Sequence, residues 1–310
     1  MTNILLTGSS GFVGKAVLNA LTQADVSIIA PVRKIIAGYL IEQVQQVTVS
    51  ELADIDANLF QLYRPDVVIH MAAKAHVAGI PLAEFIQLNT DATINIAKAA
   101  AHSGVRRFIF LSSIGVNGIC NTKPFSINDT PMPVEDYAVS KRNAEIGLKQ
   151  IAADTGMEVV IIRPPLVYGA NAPGNFGKLV KLAEKNLPLP LGAIHNKRSL
   201  VALDNLVDLM VTCIDHPKAA NQTFLVSDDQ DVSTTELLQM MTRAAGKKPL
   251  LLPVPVSWLK LAGKFIGKQA VIDRLCGNLQ VDISHTKETL AWKPPVSVEE
   301  GIARCFAAKG

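Results

Sequence analysis

Short runs rich in valine and isoleucine recur along the chain, at Ile4–Thr7, Val26–Val32, Val67–His70, Arg107–Ser112 and Glu158–Ile162, with alanine-rich amphipathic stretches between them. Within each run the apolar residues are continuous rather than alternating. A strand of that kind is covered on both faces, as in a parallel sheet built from βαβ units. The pattern predicts an α/β chain with a doubly wound parallel sheet and helices between the strands. A later run, Gln222–Val226, completes the sheet. From Leu166 to Arg198, and again from Asp228 onward, proline and glycine become frequent and the strict succession fades. Those pieces predict a smaller C-terminal lobe over the carboxyl ends of the strands.

With 310 residues, 49% of them hydrophobic, the chain can bury a large core, and a disordered chain is excluded. The net charge of +3 comes from 30 basic and 27 acidic residues, with no block of like charge long enough for a nucleic-acid tail, so an anionic ligand must be held locally. Cys120, Cys213, Cys276 and Cys305 are scattered, without the close pairs of a zinc site or the density of a disulfide scaffold. They read as free, mostly buried thiols of a reducing compartment, and no metal site is expected. The first residues run directly into a strand pattern without an export signal, so a cytoplasmic protein is expected. No apolar stretch reaches the roughly 18 residues of a membrane span. Ser257–Lys268 sets Trp258, Leu259, Leu261, Ala262, Phe265 and Ile266 on a helical stripe with three lysines opposite. A packed core helix with a solvated face is favoured there over a helix lying on a membrane.

Thr7–Gly14, TGSSGFVG, follows the first strand and opens a helix. The backbone N–H groups of Gly8, Ser10, Gly11, Phe12, Val13 and Gly14 can then face a pyrophosphate, and side chains at Gly8 or Gly11 would stand in the way. The expected ligand is a dinucleotide. Strand two should end beside its adenosine ribose. NAD-specific sites commonly place a carboxylate there, but this chain offers Arg33 and Lys34. A guanidinium can pair with a 2′-phosphate, so NADP is favoured over NAD. The dinucleotide-binding domain is expected over 1–165 plus about 199–227, and the substrate lobe over 166–198 plus 228–310.

Asp136–Lys141, DYAVSK, reads as the start of a helix, on which Tyr137 and Lys141 share a face. A tyrosine is a poor base near neutrality. The Lys141 ammonium and a cationic nicotinamide would both favour the phenolate, lowering its pKa toward the working pH, and Lys141 would also hold the nicotinamide ribose. The preceding strand ends in Ser112 and Ser113. Ser113 is positioned to hydrogen-bond the reacting oxygen, Ser112 is the alternative active hydroxyl, and turn capping accounts comfortably for Ser112.

TGSSGFVG, HMAA, LNTDAT, LSSIGVNG, YAVSK, RPPLVYG and RSLVALDNLVDL follow one another along nearly the whole chain. In that order they resemble the extended short-chain dehydrogenases/reductases, the sugar-nucleotide epimerases, dehydratases and reductases with a Rossmann-type domain. The resemblance implies that Glu51, with Leu52, takes the adenine-amine position usually given to an aspartate. It also implies that His70, Met71, Ala72 and Ala73 run along the pyrophosphate and ribose, that Asn89 lies near the nicotinamide end, and that Arg163, Pro164 and Pro165 line the nicotinamide face. In the second lobe Asn175, Arg198 and, across a gap, Arg274 match positions that hold a substrate diphosphate, a task suited to the planar guanidinium fork. Homodimers built by pairing two helices per subunit are common in the family, and Ala92–Ala101 with the helix bearing Lys141 could serve.

Hydride transfer at a sugar carbon, C4 of a UDP-sugar, is what the resemblance implies as the reaction. A 4,6-dehydratase carries an Asp-Glu pair just after the active hydroxyl, where this chain has Ile114 and Gly115. Arg33, Asn117 in place of the epimerases' usual tyrosine, and Leu166 in place of a common asparagine lean toward net reduction. The expected activity is that of a UDP-4-keto-6-deoxy-N-acetylhexosamine 4-reductase of surface polysaccharide biosynthesis, slightly ahead of a UDP-hexose 4-epimerase. A non-catalytic dinucleotide sensor or scaffold is a weaker third reading, because such relatives usually lose the tyrosine or the lysine.

Overall fold

The computed structural model describes all residues except 40, 76–78 and 308–310. Among the described residues ten strands occur in the order β1 (Thr2–Thr7), β2 (Val26–Val32), β3 (Val44–Thr48), β4 (Val67–His70), β5 (Arg107–Leu111), β6 (Glu158–Arg163), β7 (Leu166–Tyr168), β8 (Arg198–Ala202), β9 (Thr223–Leu225) and β10 (Asp231–Val232). Seven form one sheet in the order β3-β2-β1-β4-β5-β6-β9, every pair parallel. The strand order reverses direction between β1 and β4. In an open α/β sheet that reversal leaves a crevice at the carboxyl ends of the strands.

The continuous apolar runs supply two cores at once, because successive side chains point to opposite faces. Ile4, Leu6, Ile28, Ile69, Ile109 and Ile162 enter one cluster. Their neighbours Leu5, Val68, Phe108, Phe110 and Ile161 enter the other. The helix Leu203–Asp215 covers the first face and is pinned by a buried arginine at the start of β5. Arg107 donates from Nη1 to the carbonyls of Cys213 (2.7 Å) and Ile214 (2.9 Å), and from Nε to Glu158 (2.7 Å). A cation at a helix C-terminus meets carbonyls that lack helical partners.

β7, β8 and β10 form a separate three-stranded sheet. The stretch expected to rejoin the dinucleotide domain at about 199 therefore rejoins the large sheet later. β8 pairs with β7 and β10, and only Leu203–Asp215 and β9 return to the large sheet. Asp228 ties the parts together from a buried position. It accepts from the Tyr168 hydroxyl (2.7 Å), the Ala202 N–H (2.8 Å) and the Asn205 amide (2.6 Å). Cys213 and Cys305 are buried, but Cys120 is exposed and Cys276 half-buried, so the thiols are less uniformly interior than expected.

Candidate active site

Thr7–Gly14 forms a tight turn from β1 into the helix Phe12–Leu21. Gly8 adopts φ +77°, and a Cβ there would lie 2.7 Å from the Ala72 backbone nitrogen. A Cβ at Gly14 would lie 2.0 Å from the Gly8 carbonyl oxygen. Both positions are closed by the protein's own backbone. Gly11 differs, since its Cβ would meet only the Gly8 oxygen at 3.3 Å and the residue is exposed at the helix start. Its missing side chain leaves room beside the first helical N–H groups, which have no intrahelical acceptors. Exposed Ser10 and half-buried Phe12 and Val13 complete the turn. The residues present thus fit a dinucleotide pyrophosphate at the β1–β4 crevice, with Met71, Ala72 and Ala73 on its β4 side.

Behind β4 the sequence reading placed His70 in a cofactor-lining run, but its side chain is wholly buried. Thr93 donates to the Asn89 carbonyl (2.8 Å) and lies 2.9 Å from His70 Nε2. With that hydroxyl proton used, Nε2 must carry the ring proton and Nδ1 must accept from Thr7 (2.8 Å). His70 is held neutral, its pKa pushed down to about 3 by burial and by the nearby Lys141 charge. Asn89, in a wider π-turn over Ile86–Asp91, is buried as well. Its side chain accepts from Lys74 N–H (2.8 Å) and donates to Lys74 C=O (3.0 Å) and Ser140 Oγ (3.1 Å). It fixes the loop after β4 to the helix Asp136–Thr155, and its polar atoms are engaged within the protein.

That helix bears Tyr137, Lys141 and Glu145 at successive intervals of four on one face. Lys141 is buried, donates to the Leu111 carbonyl (2.8 Å) and lies 4.4 Å from the Phe110 ring centroid and 6.0 Å from that of Tyr137. Burial lowers its pKa to about 7, against the attraction of Glu145, which raises it. Tyr137 is packed edge-on to Phe85, and burial pushes its phenol up to about 12. The Lys141 ammonium and a cationic nicotinamide were expected to make this phenol acidic. In the protein alone desolvation dominates and the direction is the reverse.

The turn-capping part expected of Ser112 falls to Ser113, which keeps its hydroxyl proton free to donate. Ser113, not Ser112, caps the following turn, accepting from Gly115 N–H (3.1 Å). Its own hydroxyl proton has no acceptor among the described residues. Ser112 is buried and donates to Glu145 Oε1 (2.6 Å), which removes it as an alternative active hydroxyl. Glu145 was not singled out from sequence, yet it also accepts from Arg163 Nε (2.9 Å) and Nη2 (2.5 Å). Arg163 Nη1 reaches Asn117 Oδ1 (2.9 Å), and Asn117 donates to the Ser126 carbonyl (3.2 Å). Arg163 is therefore an internal ion-pair partner rather than a lining of the nicotinamide face, and Asn117 is a buried strut rather than a sugar contact. Pro164 follows Arg163 at the end of β6, is buried, and accepts Ile114 N–H on its carbonyl (2.9 Å).

The outer residues are spread along the rim. Arg33 and Lys34 are exposed beyond β2, and Arg33 has no ion pair among the described residues. Glu51 is exposed at the N-cap of the turn Leu52–Asp54, with Leu52 half-buried beside it. Asn175 is exposed in the first turn of the helix Gly174–Lys185. Arg198, at the start of β8, donates to the carbonyls of Arg274 (2.8 Å) and Gly277 (3.2 Å). Burial and the Arg274 charge lower its pKa. Arg274 in turn pairs with Glu135, the N-cap of the helix bearing Tyr137. The two arginines thus lie together beside the start of that helix, while Asn175 is hydrogen-bonded to neither among the described residues.

The model of the NAD dependent epimerase/dehydratase family matches residues 4–227. A UDP-glucose 4-epimerase of Vibrio cholerae is 49% identical over 320 residues, covering 99% of this chain and 95% of that protein. The fold matches the crystal structure of a UDP-glucose 4-epimerase from Thermotoga maritima with UDP-glucose, at TM-score 0.81 and 23% identity over 99% of both chains. It also matches a UDP-glucuronic acid 4-epimerase from Bacillus cereus in complex with NAD, at TM-score 0.81 and 21% identity over 99% of this chain and 98% of that one.

Proposed function

Because this chain belongs to the NAD-dependent epimerase/dehydratase family, we propose that it inverts C4 of a UDP-hexose, with Tyr137, Lys141 and Ser113 as the reacting constellation. The observation that carries this reading is the 49% identity to the Vibrio cholerae UDP-glucose 4-epimerase, sustained over 99% of the chain. The reductase activity ranked first from sequence gives way to it. One support of that ranking is also weakened, because Asn117 is buried against Arg163 and Ser126. Dehydration fits poorly, because Ile114 and Gly115 carry neither an acid nor a base.

When bound, the dinucleotide supplies a hydride acceptor and donor together with a positive charge on the nicotinamide ring. Tyr137 takes the proton of the sugar 4-hydroxyl and later returns it. Its high pKa in the protein alone makes it a reluctant base, and the added ring charge favours the phenolate. Lys141, anchored on the Leu111 carbonyl 6.0 Å from the Tyr137 ring centroid, gives that phenolate a cationic neighbour in its protonated form. Ser113 donates its hydroxyl to the same sugar oxygen, since its lone pair already holds Gly115 N–H. Arg198 and Arg274 are assigned to the diphosphate, Asn175 to the lobe's contact with the nucleotide, and Glu51 to the adenine. The substrate lobe is assigned to 166–202, which includes β8, with 228–310, and a homodimer forms through Ala92–Ala101 and the helix Asp136–Thr155.

The test is to denature the purified protein and identify the released nucleotide, and separately to incubate it with UDP-glucose without added cofactor. Released NAD and formation of UDP-galactose are expected. An empty protein that consumes NADPH with UDP-4-keto-6-deoxy-N-acetylhexosamine would restore the reductase reading and assign Arg33 to a 2′-phosphate.

A further inference from the structure

The helix Val256–Phe265 carries Trp258, Leu261, Ala262 and Phe265 at the spacing that lines one helical face. That face is turned outward. Trp258 is 71% exposed, Phe265 82% and the following Ile266 68%, while the helix attaches to the protein through Leu259 and Gly263 on its other side. Val271, on the next helix Gln269–Cys276, is exposed as well. The packed core helix expected from sequence is thus absent, and the apolar stripe faces solvent. Single exposed leucines need no explanation, but a run of large apolar side chains with an indole among them marks a surface built to be covered.

Charge identifies the cover. Between Glu236 and Asp273 the sequence holds Arg243, Lys247, Lys248, Lys260, Lys264 and Lys268 and not one acidic residue. The net charge of the whole chain is only +3, so this segment concentrates positive charge that the remainder offsets. Lys260 has a single distant carboxylate, Asp273 at 3.9 Å, and Lys264 and Lys268 have no ion pair among the described residues. Aromatic and aliphatic groups pointing out of a short helix flanked by lysines are the chemistry of an interfacial membrane helix. No helix among the described residues is long and apolar enough to cross a membrane, so the contact is peripheral.

We propose that the exposed face of Val256–Phe265 and Gln269–Cys276 docks on an anionic bilayer, with Trp258, Leu261 and Phe265 entering the headgroup region and the lysines meeting lipid phosphates. The surface runs directly into Arg274, whose partner Glu135 stands two residues before Tyr137. Docking therefore sets the rim of the candidate site beside the membrane. The inference does not depend on which sugar is turned over.

The experiment is vesicle flotation of the full chain with phosphatidylglycerol–phosphatidylcholine mixtures and with phosphatidylcholine alone, combined with tryptophan fluorescence. Trp292, the only other tryptophan, is 5% exposed and bonded to Asp208, so a blue shift reports Trp258. Flotation and a blue shift are expected with the anionic vesicles only, weakened by salt. The double variant Leu261→Glu/Phe265→Glu should lower partitioning by about tenfold or more while leaving turnover of a soluble substrate intact. Lys264→Glu/Lys268→Glu should weaken it as well. The proposal is overturned if the wild-type protein stays unbound, if the double variant floats equally well, or if sedimentation shows a dimer that the double variant breaks while no vesicle binding occurs.

Discussion

Arg163 grips Glu145 with two nitrogens, Nε at 2.9 Å and Nη2 at 2.5 Å, in a place where both side chains are almost fully withdrawn from water. A bidentate pair of this kind stabilises little relative to an apolar replacement, but removing one member strands the other charge. Glu145→Ala is expected to cost about 3–5 kcal/mol, leaving Arg163 unpaired and Ser112 without its acceptor. The urea midpoint measures this. Adding Arg163→Met to the same chain should recover part of the loss, and a loss under about 1 kcal/mol for the single variant would contradict the geometry.

Tyr137→Phe keeps the ring packed on Phe85 and removes only the proton carrier. Turnover is expected to fall about 10²–10⁴-fold with unchanged nucleotide content and thermal midpoint. Lys141→Met should lose turnover and weaken nucleotide retention together. Steady-state rates with an assay of bound nucleotide separate the two, and full activity in Tyr137→Phe would remove the phenol from the chemistry.

His70 makes a pH signature in stability. Its folded pKa of about 3 lies below the ordinary 6.5, so between those values the unfolded chain binds the extra proton. Stability contributed by neutral His70 is therefore complete above pH 6.5 and is lost as pH falls toward 3, at about 1.4 kcal/mol per unit. In His70→Gln that share of the slope should vanish. Urea denaturation at a series of pH values reads it, and parallel curves for the two proteins would argue against a buried neutral imidazole.

The glycine turn separates folding from binding. Gly14→Ala would press a methyl to 2.0 Å from the Gly8 carbonyl oxygen, which should shift the turn and lower the unfolding midpoint. Gly11→Ala meets its nearest atom at 3.3 Å, so its stability should change by less than about 1 kcal/mol while NAD binding weakens. Calorimetric titration beside thermal melts distinguishes them, and equal destabilisation by both would be inconsistent with this turn.

What could be read from the chain beforehand followed hydrophobic continuity. Strands buried on both faces, such as Val67–His70, advertise themselves. β3 was missed because Val44-Gln45-Gln46-Val47-Thr48 lies at the sheet edge and spends a polar side chain on the backbone: Gln46 accepts Ile36 N–H (2.8 Å) and donates to its carbonyl (3.0 Å). The shared helical face of Tyr137 and Lys141 was legible from their spacing, while the part proposed for them came from the motifs around them. That Ser113 caps the turn while Ser112 is spent on Glu145 was not legible, since adjacent hydroxyls differ only in what folds beside them. Glu145 left a usable trace, a carboxylate one further helical turn beyond Lys141 on the same face, with Arg163 closing a neighbouring strand. The phenol's upward shift could not be read at all, because it depends on burial rather than on any neighbour in the sequence.

β9 is a three-residue strand that closes the far margin of the large sheet, pairing Thr223 with Ile161 and Leu225 with Arg163. Its partner β6 comes off the ribosome some sixty residues earlier, so a nascent chain carries a bare, strongly apolar β6 edge until Leu225 has cleared the exit tunnel. Completion of the nucleotide-binding sheet is thereby deferred to late in translation, and chains interrupted within that interval would be the ones most in need of a chaperone.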